Sequence, residues 1–382
     1  SYPFNNSLEL RRKYSWPVQF DAKAPMISFD DSCLMSIPEY RAFIDCYLDL
    51  KAKYIAESDT ITYHDYIFTR AKLDVAINEI ESPRIKNYAL RKIMISHQKE
   101  FGVYHSDRVL SIFRQSCTNP VFVSEIDSIY RKEIEANDDH LVEVYKKTKQ
   151  CELEAHVFLP SKNNKKHPVI CFFYGGGWYQ GCPEQFFDYC RYFSKNGYVA
   201  VSFDYRSKGR FNTTPLEALY DAKSAVRWVR SKAKIWNINI NEVATCGWSA
   251  GGHLSGCTAI IKGFNDPAED SAISATPDAA ILNAPCFKPE ADNWFYYCSN
   301  YSFDPKLLSP VFNVRKRLPP MLGLLGTNDQ YIPLATGLEF EKKMKEAKNK
   351  YTFVLIQGGD HFTFRNELWA GKMLEYLNGF FY

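Results

Sequence analysis

From about residue 141 onward, short apolar runs alternate with segments of helical periodicity, and this alternation limits the fold more than any other feature of the chain. The predicted strands are Glu152–Leu159, Pro168–Tyr174, Tyr198–Phe203, Val243–Cys246, Ala279–Leu282, Met321–Leu325 and Tyr351–Ile356. The predicted helices are Pro215–Lys234, Gly252–Ile261, Pro333–Ala347 and Asn366–Asn378. Continuous apolar strands that alternate with helices favour an α/β fold with a mostly parallel sheet covered on both faces. Ligands bind such sheets at the carboxyl ends of the strands.

The residues before this part of the chain have a different pattern. Of 19 glycines, only Gly102 precedes Gly175. Apolar residues instead repeat at helical spacing, in three stripes: Tyr40, Phe43, Ile44, Tyr47 and Leu48; Leu73, Ala76, Ile77 and Ile80; and Ile126, Ile129, Tyr130 and Ile134. Such stripes are typical of helix faces that pack into a core. The sequence therefore predicts two parts, a helical region over residues 1–140 and an α/β domain over residues 141–382, which we call the sheet region.

Composition excludes several classes of protein. The 382 residues are enough for one large or two modest domains, and 46% hydrophobic with 24% charged residues indicates a globular chain. The 47 basic and 44 acidic residues give a net charge of only +3, which does not favour nucleic-acid binding. No apolar run approaches the roughly 18–20 residues that a membrane span requires. A soluble enzyme or binding protein remains.

The 11 cysteines show no C-x-x-C pair, so the spacing typical of zinc and thioredoxin-like sites is missing. Cys171 and Cys246 fall within predicted strands, where buried apolar side chains are expected. This usage favours reduced core cysteines in a cytoplasmic protein. The sequence gives no reason to expect a metal ion or a cofactor.

The segment Gly247-Trp248-Ser249-Ala250-Gly251 matches G-x-S-x-G and lies between a predicted strand and a predicted helix. In that context the serine occupies a sharp turn that exposes its hydroxyl at the edge of the sheet. The motif also occurs by chance in ordinary glycine-rich turns, so further residues must support the interpretation. We predict that Ser249 is a nucleophile.

A run of three glycines, Gly175-Gly176-Gly177, follows the predicted strand Pro168–Tyr174. Glycines at this position allow backbone N–H groups to face a cavity, where they can stabilise an oxyanion by roughly 3–4 kcal/mol each. A simple glycine turn or a phosphate-binding loop is the alternative. The signatures G-x-G-x-x-G and the P-loop lysine are missing from the run, which argues against phosphate.

A serine nucleophile needs a base, and the base needs a carboxylate that orients it. Of the eight histidines only His253 and His361 follow Ser249, and His253 is expected to pack within the helix that begins after the serine. Asp329 follows the predicted strand Met321–Leu325, whereas the neighbour of His361, Asp360, would point away from the imidazole. The order Ser249, Asp329, His361 is that of the α/β-hydrolase triad.

With these motifs, residues 141–382 resemble an α/β-hydrolase of the esterase/lipase superfamily, with hormone-sensitive-lipase-like carboxylesterases and bacterial acetyl or feruloyl esterases as the nearest subgroup. The resemblance rests on Tyr174–Trp178, Gly247–Gly252, Gly326–Asp329 and Gly358–Phe362. Those families usually have His-Gly-Gly-Gly, and here Tyr174 replaces the histidine. By resemblance, the amides of Gly176, Gly177 and Ala250 form the oxyanion hole, and the substrate is a small ester with an acetyl or similar acyl group, on a sugar or a small metabolite.

The expected activity is therefore that of a serine esterase, with Ser249 as nucleophile, His361 as base and Asp329 as orienting acid. An acyltransferase, an amidase or a peptidase could use the same triad, because the acceptor pocket has no motif. A non-catalytic binding protein on a hydrolase scaffold is a further alternative. The resemblance does not cover residues 1–140, which could form a cap over the site, a docking module or an interface for a homo-oligomer.

Overall fold

The structure, a computed structural model, combines a set of N-terminal helices with one eight-stranded sheet. It describes residues 32–56, 65–161, 165–267, 269, 272–363 and 367–381. The predicted start of the last helix, Asn366, lies outside these residues. No helix in the described part of the chain is long and apolar enough to cross a bilayer.

The helical region contains five α-helices within the described residues, after a short 3₁₀ helix at Ser32–Ser36. They are α1 (Pro38–Ala56), α2 (Ile67–Glu79), α3 (Pro83–Phe101), α4 (Asp107–Ser116) and α5 (Pro120–Glu135). The predicted stripes mostly form the core of this region, as Ile44, Leu73 and Ile126 show. The prediction is wrong for Phe43 and Ile134, which are exposed.

The sheet has the strand order β1-β2-β4-β3-β5-β6-β7-β8. Its strands are β1 (Leu141–Lys147), β2 (Glu152–Phe158), β3 (His167–Phe173), β4 (Val199–Phe203), β5 (Ile238–Trp248), β6 (Ala279–Asn283), β7 (Met321–Gly326) and β8 (Tyr351–Ile356). Pairing is antiparallel from β1 to β2 and from β2 to β4, and parallel elsewhere. The predicted mostly parallel sheet is confirmed. Strands β3, β4, β6 and β7 are buried at every residue, which requires cover on both faces.

The helices of the sheet region supply that cover. They are α6 (Phe187–Lys195), α7 (Lys208–Phe211), α8 (Pro215–Ser231), α9 (Ala250–Ile260), α10 (Asn293–Cys298), α11 (Leu334–Glu346) and α12 (Glu367–Phe381). Short 3₁₀ helices lie at Pro183–Phe186, Pro289–Ala291 and Pro305–Leu308. Helix α8 begins at Pro215, as predicted, because Thr214 before the helix and Glu217 in its first turn form a capping box.

The register of the central strands determines where the loops that carry the motifs meet. Phe173 at the end of β3 pairs with Gly247 near the end of β5, and Trp248 pairs with Asn283 at the end of β6. Strand β5 is longer than predicted and ends directly before Ser249. The carboxyl ends of β3, β5 and β6 therefore lie side by side, with those of β7 and β8 next along the same edge.

Candidate active site

Ser249 occupies the turn between β5 and α9, in a backbone conformation that L-residues rarely adopt. Its φ is 55° and its ψ is −117°. The turn is held on both sides, because the Ser249 N–H donates to the Asn283 carbonyl (2.9 Å) and the Ser249 carbonyl accepts from the His253 N–H (2.9 Å). A strained backbone conformation persists only where surrounding contacts fix it, and such residues cluster at functional sites. The strand–turn–helix context expected for Ser249 is present.

His361 and Asp329 meet at the ends of β8 and β7. The imidazole Nδ1 donates to Asp329 Oδ2 over 2.7 Å, and both side chains are almost fully buried. Asp329 Oδ1 accepts from the N–H groups of Tyr331 and Ile332, each over 2.8 Å. Since every carboxylate oxygen has a donor, the side chain of Asp329 is held in one orientation and fixes the imidazole with Nε2 directed away from it.

Trp248 connects this pair to the serine turn. Its indole Nε1 donates to the His361 carbonyl over 2.9 Å, and the two rings lie 5.3 Å apart. The residue directly before Ser249 therefore contacts the residue that carries the imidazole. Sequence reasoning missed a second aromatic neighbour, Tyr331, whose ring lies 5.0 Å from that of His361. Its place two residues after Asp329 is the signal that could have found it.

The run of glycines belongs to a tight loop, residues 174–181, which we call the glycine loop. Gly176 and Gly177 have positive φ angles of 139° and 63°. The Gln185 side chain holds Gly175 by exchanging hydrogen bonds with its N–H and carbonyl, and the Trp294 indole donates to the Gly177 carbonyl over 2.9 Å. Sequence reasoning missed Gln185 and Trp294, because neither stands in a motif.

The glycine loop lies against the serine turn. A methyl group on Gly175 would overlap the ring of Trp248, so the loop passes directly over the residue before the serine. Ala250, the third predicted oxyanion residue, is the first residue of α9 and is buried. The N–H groups at the start of a helix have no partner within the helix. The loop and the start of α9 thus lie next to each other at the carboxyl edge of the sheet.

The other candidate residues have different roles. His253 is fully buried and donates from Nε2 to the Leu308 carbonyl over 2.8 Å, and burial lowers its pKa to about 4. Its expected packing role is confirmed. Asp360 is exposed and accepts from the Phe362 N–H, which lowers the pKa of its carboxyl. The expectation that Asp360 does not orient His361 agrees with this contact.

Tyr174 stands where the related families have histidine, and its contacts are structural. Its ring stacks on that of Tyr205 with 4.1 Å between centroids. Its hydroxyl donates to the Tyr205 carbonyl over 2.9 Å and lies 3.1 Å from a carboxylate oxygen of Asp204. The tyrosine therefore anchors the first residue of the glycine loop to the end of β4.

The fold and this arrangement of a serine turn, a glycine loop and an imidazole–carboxylate pair define an α/β-hydrolase. Residues 155–281 match the family described as BD-FAE. Esterase 2 of Thermogutta terrifontis, in a structure phosphoramylated by tabun, is 34% identical; the match covers 64% of this chain and 94% of that chain, with a TM-score of 0.60. The chain belongs to the esterases of the α/β-hydrolase superfamily.

Curated relatives agree with this assignment. An acetylxylan esterase of Xylanibacter ruminicola is 29% identical over 179 residues, which is 44% of this chain and 35% of the relative. Esterase LipC of Mycobacterium tuberculosis is 24% identical over 218 residues, 52% of this chain and 53% of the relative. The chain thus spans between a third and about half of the length of these relatives.

Proposed function

We propose that the protein is a serine carboxylic-ester hydrolase whose reaction proceeds through an acyl-enzyme on Ser249. The hydrogen bond of 2.7 Å between His361 and Asp329, next to the strained turn that carries Ser249, is the observation that carries the proposal. A buried carboxylate on Nδ1 sets the tautomer in which Nε2 can accept a proton.

In the first step His361 Nε2 takes the proton of the Ser249 hydroxyl as Oγ attacks the ester carbonyl carbon. Asp329 stabilises the imidazolium that results, without itself taking up the proton. The imidazolium then donates this proton to the alkoxide as the ester C–O bond breaks. Water repeats the sequence on the acyl-enzyme, which releases the acid and restores the serine.

Negative charge develops on the carbonyl oxygen in each step, and the amides of Gly176, Gly177 and Ala250 are proposed to stabilise it. Their value lies in being oriented before the reaction, since donors that need not reorganise contribute roughly 3–4 kcal/mol each to an acyl-transfer transition state. The contacts of Gln185 with Gly175 and of Trp294 with Gly177 support this role, because they hold the loop in place without substrate.

The proposed substrates are esters of short acids. Structures of the Thermogutta terrifontis esterase 2 are described as bound to propionate and to butyrate. The relative in Xylanibacter ruminicola is named for acetyl groups on xylan. We therefore propose acetyl, propionyl or butyryl esters of a sugar or a small metabolite.

The variant Ser249→Ala tests the proposal. It is expected to lower turnover of p-nitrophenyl acetate and butyrate by about 10⁴-fold or more, since removal of a triad member leaves only the contribution of the oxyanion hole and binding. Labelling by a fluorophosphonate probe should disappear in the same variant. Ser255→Ala is the matched control, because Ser255 is a buried serine in α9, the helix that follows Ser249, and its hydroxyl bonds to Thr245. Equal turnover in Ser249→Ala and wild type would refute the mechanism.

A further inference from the structure

We propose that the helical region positions the glycine loop, through contacts between the end of α3 and the far end of that loop. The inference rests on the proposed function, because it concerns the orientation of the oxyanion donors. It assigns the helical region a role in the chemical step, where the sequence left open a cap, a docking module or an oligomer interface. Glu184 is the positioning residue on the sheet side of the contact.

The contact is a reciprocal pair of hydrogen bonds. The Gly181 N–H, in the glycine loop, donates to the carbonyl of Glu100 in the last turn of α3 over 2.7 Å. The Glu184 carboxylate accepts, at Oε1, from the N–H of Val103, just beyond the helix, over 3.1 Å. The last carbonyls of a helix have no partner within it, so they are available to a neighbouring loop. The glycine loop bonds to one of these carbonyls, that of Glu100.

Close packing around this contact leaves little space for the end of α3 and the glycine loop to shift relative to each other. Gly102 has a φ of 73°, and a methyl group on it would overlap the Glu184 carboxylate and lie 2.9 Å from Cβ of Cys182. On the other side, a methyl group on Gly181 would overlap the Gly175 carbonyl. The two ends of the glycine loop therefore touch, and a shift at Gly181 is transmitted to the glycines that carry the oxyanion amides.

A second connection runs through aromatic rings. Phe68 of α2 lies 5.3 Å from the ring of Tyr179, in the glycine loop, and Tyr179 lies 5.8 Å from Trp294. Trp294 in turn donates to the Gly177 carbonyl. The Tyr179 N–H donates to the Gly176 carbonyl over 3.1 Å, so the same residue braces the middle of the loop. Helices α2 and α3 thus contact the loop at two points.

The chemistry of Glu184 suggests the variant that tests it. Oε2 of its carboxylate is shielded from solvent, and this burial raises the pKa of the carboxyl above the ordinary value. Glutamine has the shape of the neutral acid and keeps an oxygen that can accept from Val103. Glu184→Gln is therefore the conservative variant, whereas Glu184→Ala removes the acceptor and leaves the Val103 N–H without its partner.

The experiment compares Glu184→Ala, Glu184→Gln and Gly102→Ala with wild type on a short-chain p-nitrophenyl ester. We expect kcat to fall about tenfold in Glu184→Ala and Gly102→Ala with KM within about twofold, because displaced donors lose part of the 10²–10³-fold effect of one donor. Inhibition by a trifluoromethyl ketone, which forms an oxyanion on the serine, should weaken by the same factor. Glu184→Gln should restore both quantities.

Asp139→Asn is the matched control. Asp139 also joins the two regions, since it accepts from Arg191 over 2.7 Å, but its partner is in α6 and not in the glycine loop. This variant is expected to keep the wild-type kcat. A rise in KM at constant kcat in Glu184→Ala would overturn the positioning role in favour of a cap over the substrate. A kcat of Glu184→Ala no lower than that of Asp139→Asn would also overturn it.

Amide hydrogen exchange gives a readout that does not depend on turnover. Exchange within residues 175–181 should be faster in Glu184→Ala than in wild type, with exchange in β6 and β7 unchanged. Unchanged exchange in the loop overturns the positioning role even if the protein hydrolyses no ester. Faster exchange in a protein that hydrolyses no ester would instead support the positioning role and refute only the proposed function.

Discussion

The helical region and the sheet region each have a buried apolar core, but they use backbone and side chains differently. The core of the helical region is formed by side chains on helix faces, from Met35 to Tyr130. In the sheet region, backbone segments at the carboxyl edge of the sheet approach so closely that only glycine fits, as at Gly247 and Gly251. Glycine motifs mark such close backbone approach, which explains why the sequence led to a predicted site in the sheet region but to no single prediction for the helical region.

The contribution of the helical region to the site is made largely by main-chain groups. Gly181 binds the carbonyl of Glu100, and Glu184 binds the N–H of Val103. Three of the four groups in these two bonds are main-chain N–H or carbonyl groups, which residues of many types have, so the contact is not marked by a motif. A region without a motif can therefore still act on the chemical step, and the comparison of the two regions can be tested by experiment.

The largest expected effect is that of Asp329→Asn in the sheet region. The amide can present its N–H₂ group to His361 and favour the wrong tautomer, and kcat is expected to fall by about 10⁴-fold. Asp360→Asn is the control, because Asp360 lies next to His361 but bonds to Phe362 and Thr363. Steady-state kinetics on one ester measure both variants. Similar losses in the two variants would contradict the assignment of Asp329.

The next prediction compares two glycines of the sheet region. A methyl group on Gly251 would overlap the carbonyl oxygens of Phe173 and Tyr174, whereas one on Gly379, in α12, would meet no atom within 4 Å. Gly251→Ala is expected to lower the free energy of unfolding by about 4 kcal/mol or more, since backbone cannot yield without moving β3. Gly379→Ala should raise it by up to about 1 kcal/mol. Urea denaturation measures both, and a mild effect of Gly251→Ala would mean that the turn is loosely packed.

The smallest expected effect concerns stability at acid pH. The two regions resemble each other in this respect, because each contains a buried histidine with a lowered pKa. Burial lowers the pKa of His97, in α3, to about 3 and that of His253, in α9, to about 4. Below the ordinary value near 6.5 the unfolded chain binds protons that the folded chain does not, so stability falls as pH drops from about 6.5 towards 4. Each histidine contributes up to about 1.4 kcal/mol per pH unit.

The variant His97→Gln separates the two regions in this respect. Glutamine can bond to Thr69 and Ser106, the present partners of the imidazole, but it does not titrate. The slope of the unfolding free energy against pH is measured by urea denaturation between pH 4.5 and 6. It should decrease by about 1.4 kcal/mol per pH unit, because one proton fewer is taken up on unfolding. An unchanged slope would show that His97 is not the neutral, buried group that its contacts indicate.

Much of the sheet region could be predicted because most of its central strands contain continuous apolar runs. The predicted strand Tyr351–Ile356 has the observed bounds, and that at Met321–Leu325 is one residue short. Strand β1 was not predicted, because it lies at the edge of the sheet with Leu141, Val142 and Val144 exposed. Exposed apolar residues also explain the errors at Phe43 and Ile134. Periodicity shows which residues could be buried, and the packing of neighbouring elements decides which of them are.

The sequence by itself determined the fold class and the three residues expected to react, since strand–turn–helix context and chain order limit where a serine, an acid and a base can lie in this architecture. Only the tertiary structure decided how these parts are held. Three hydrogen bonds join residues that lie far apart in the chain: His361 to Asp329, Trp248 to the His361 carbonyl, and Gly181 to a carbonyl at the end of α3. Such contacts depend on which residues come close together in the folded chain, and local sequence patterns do not show this.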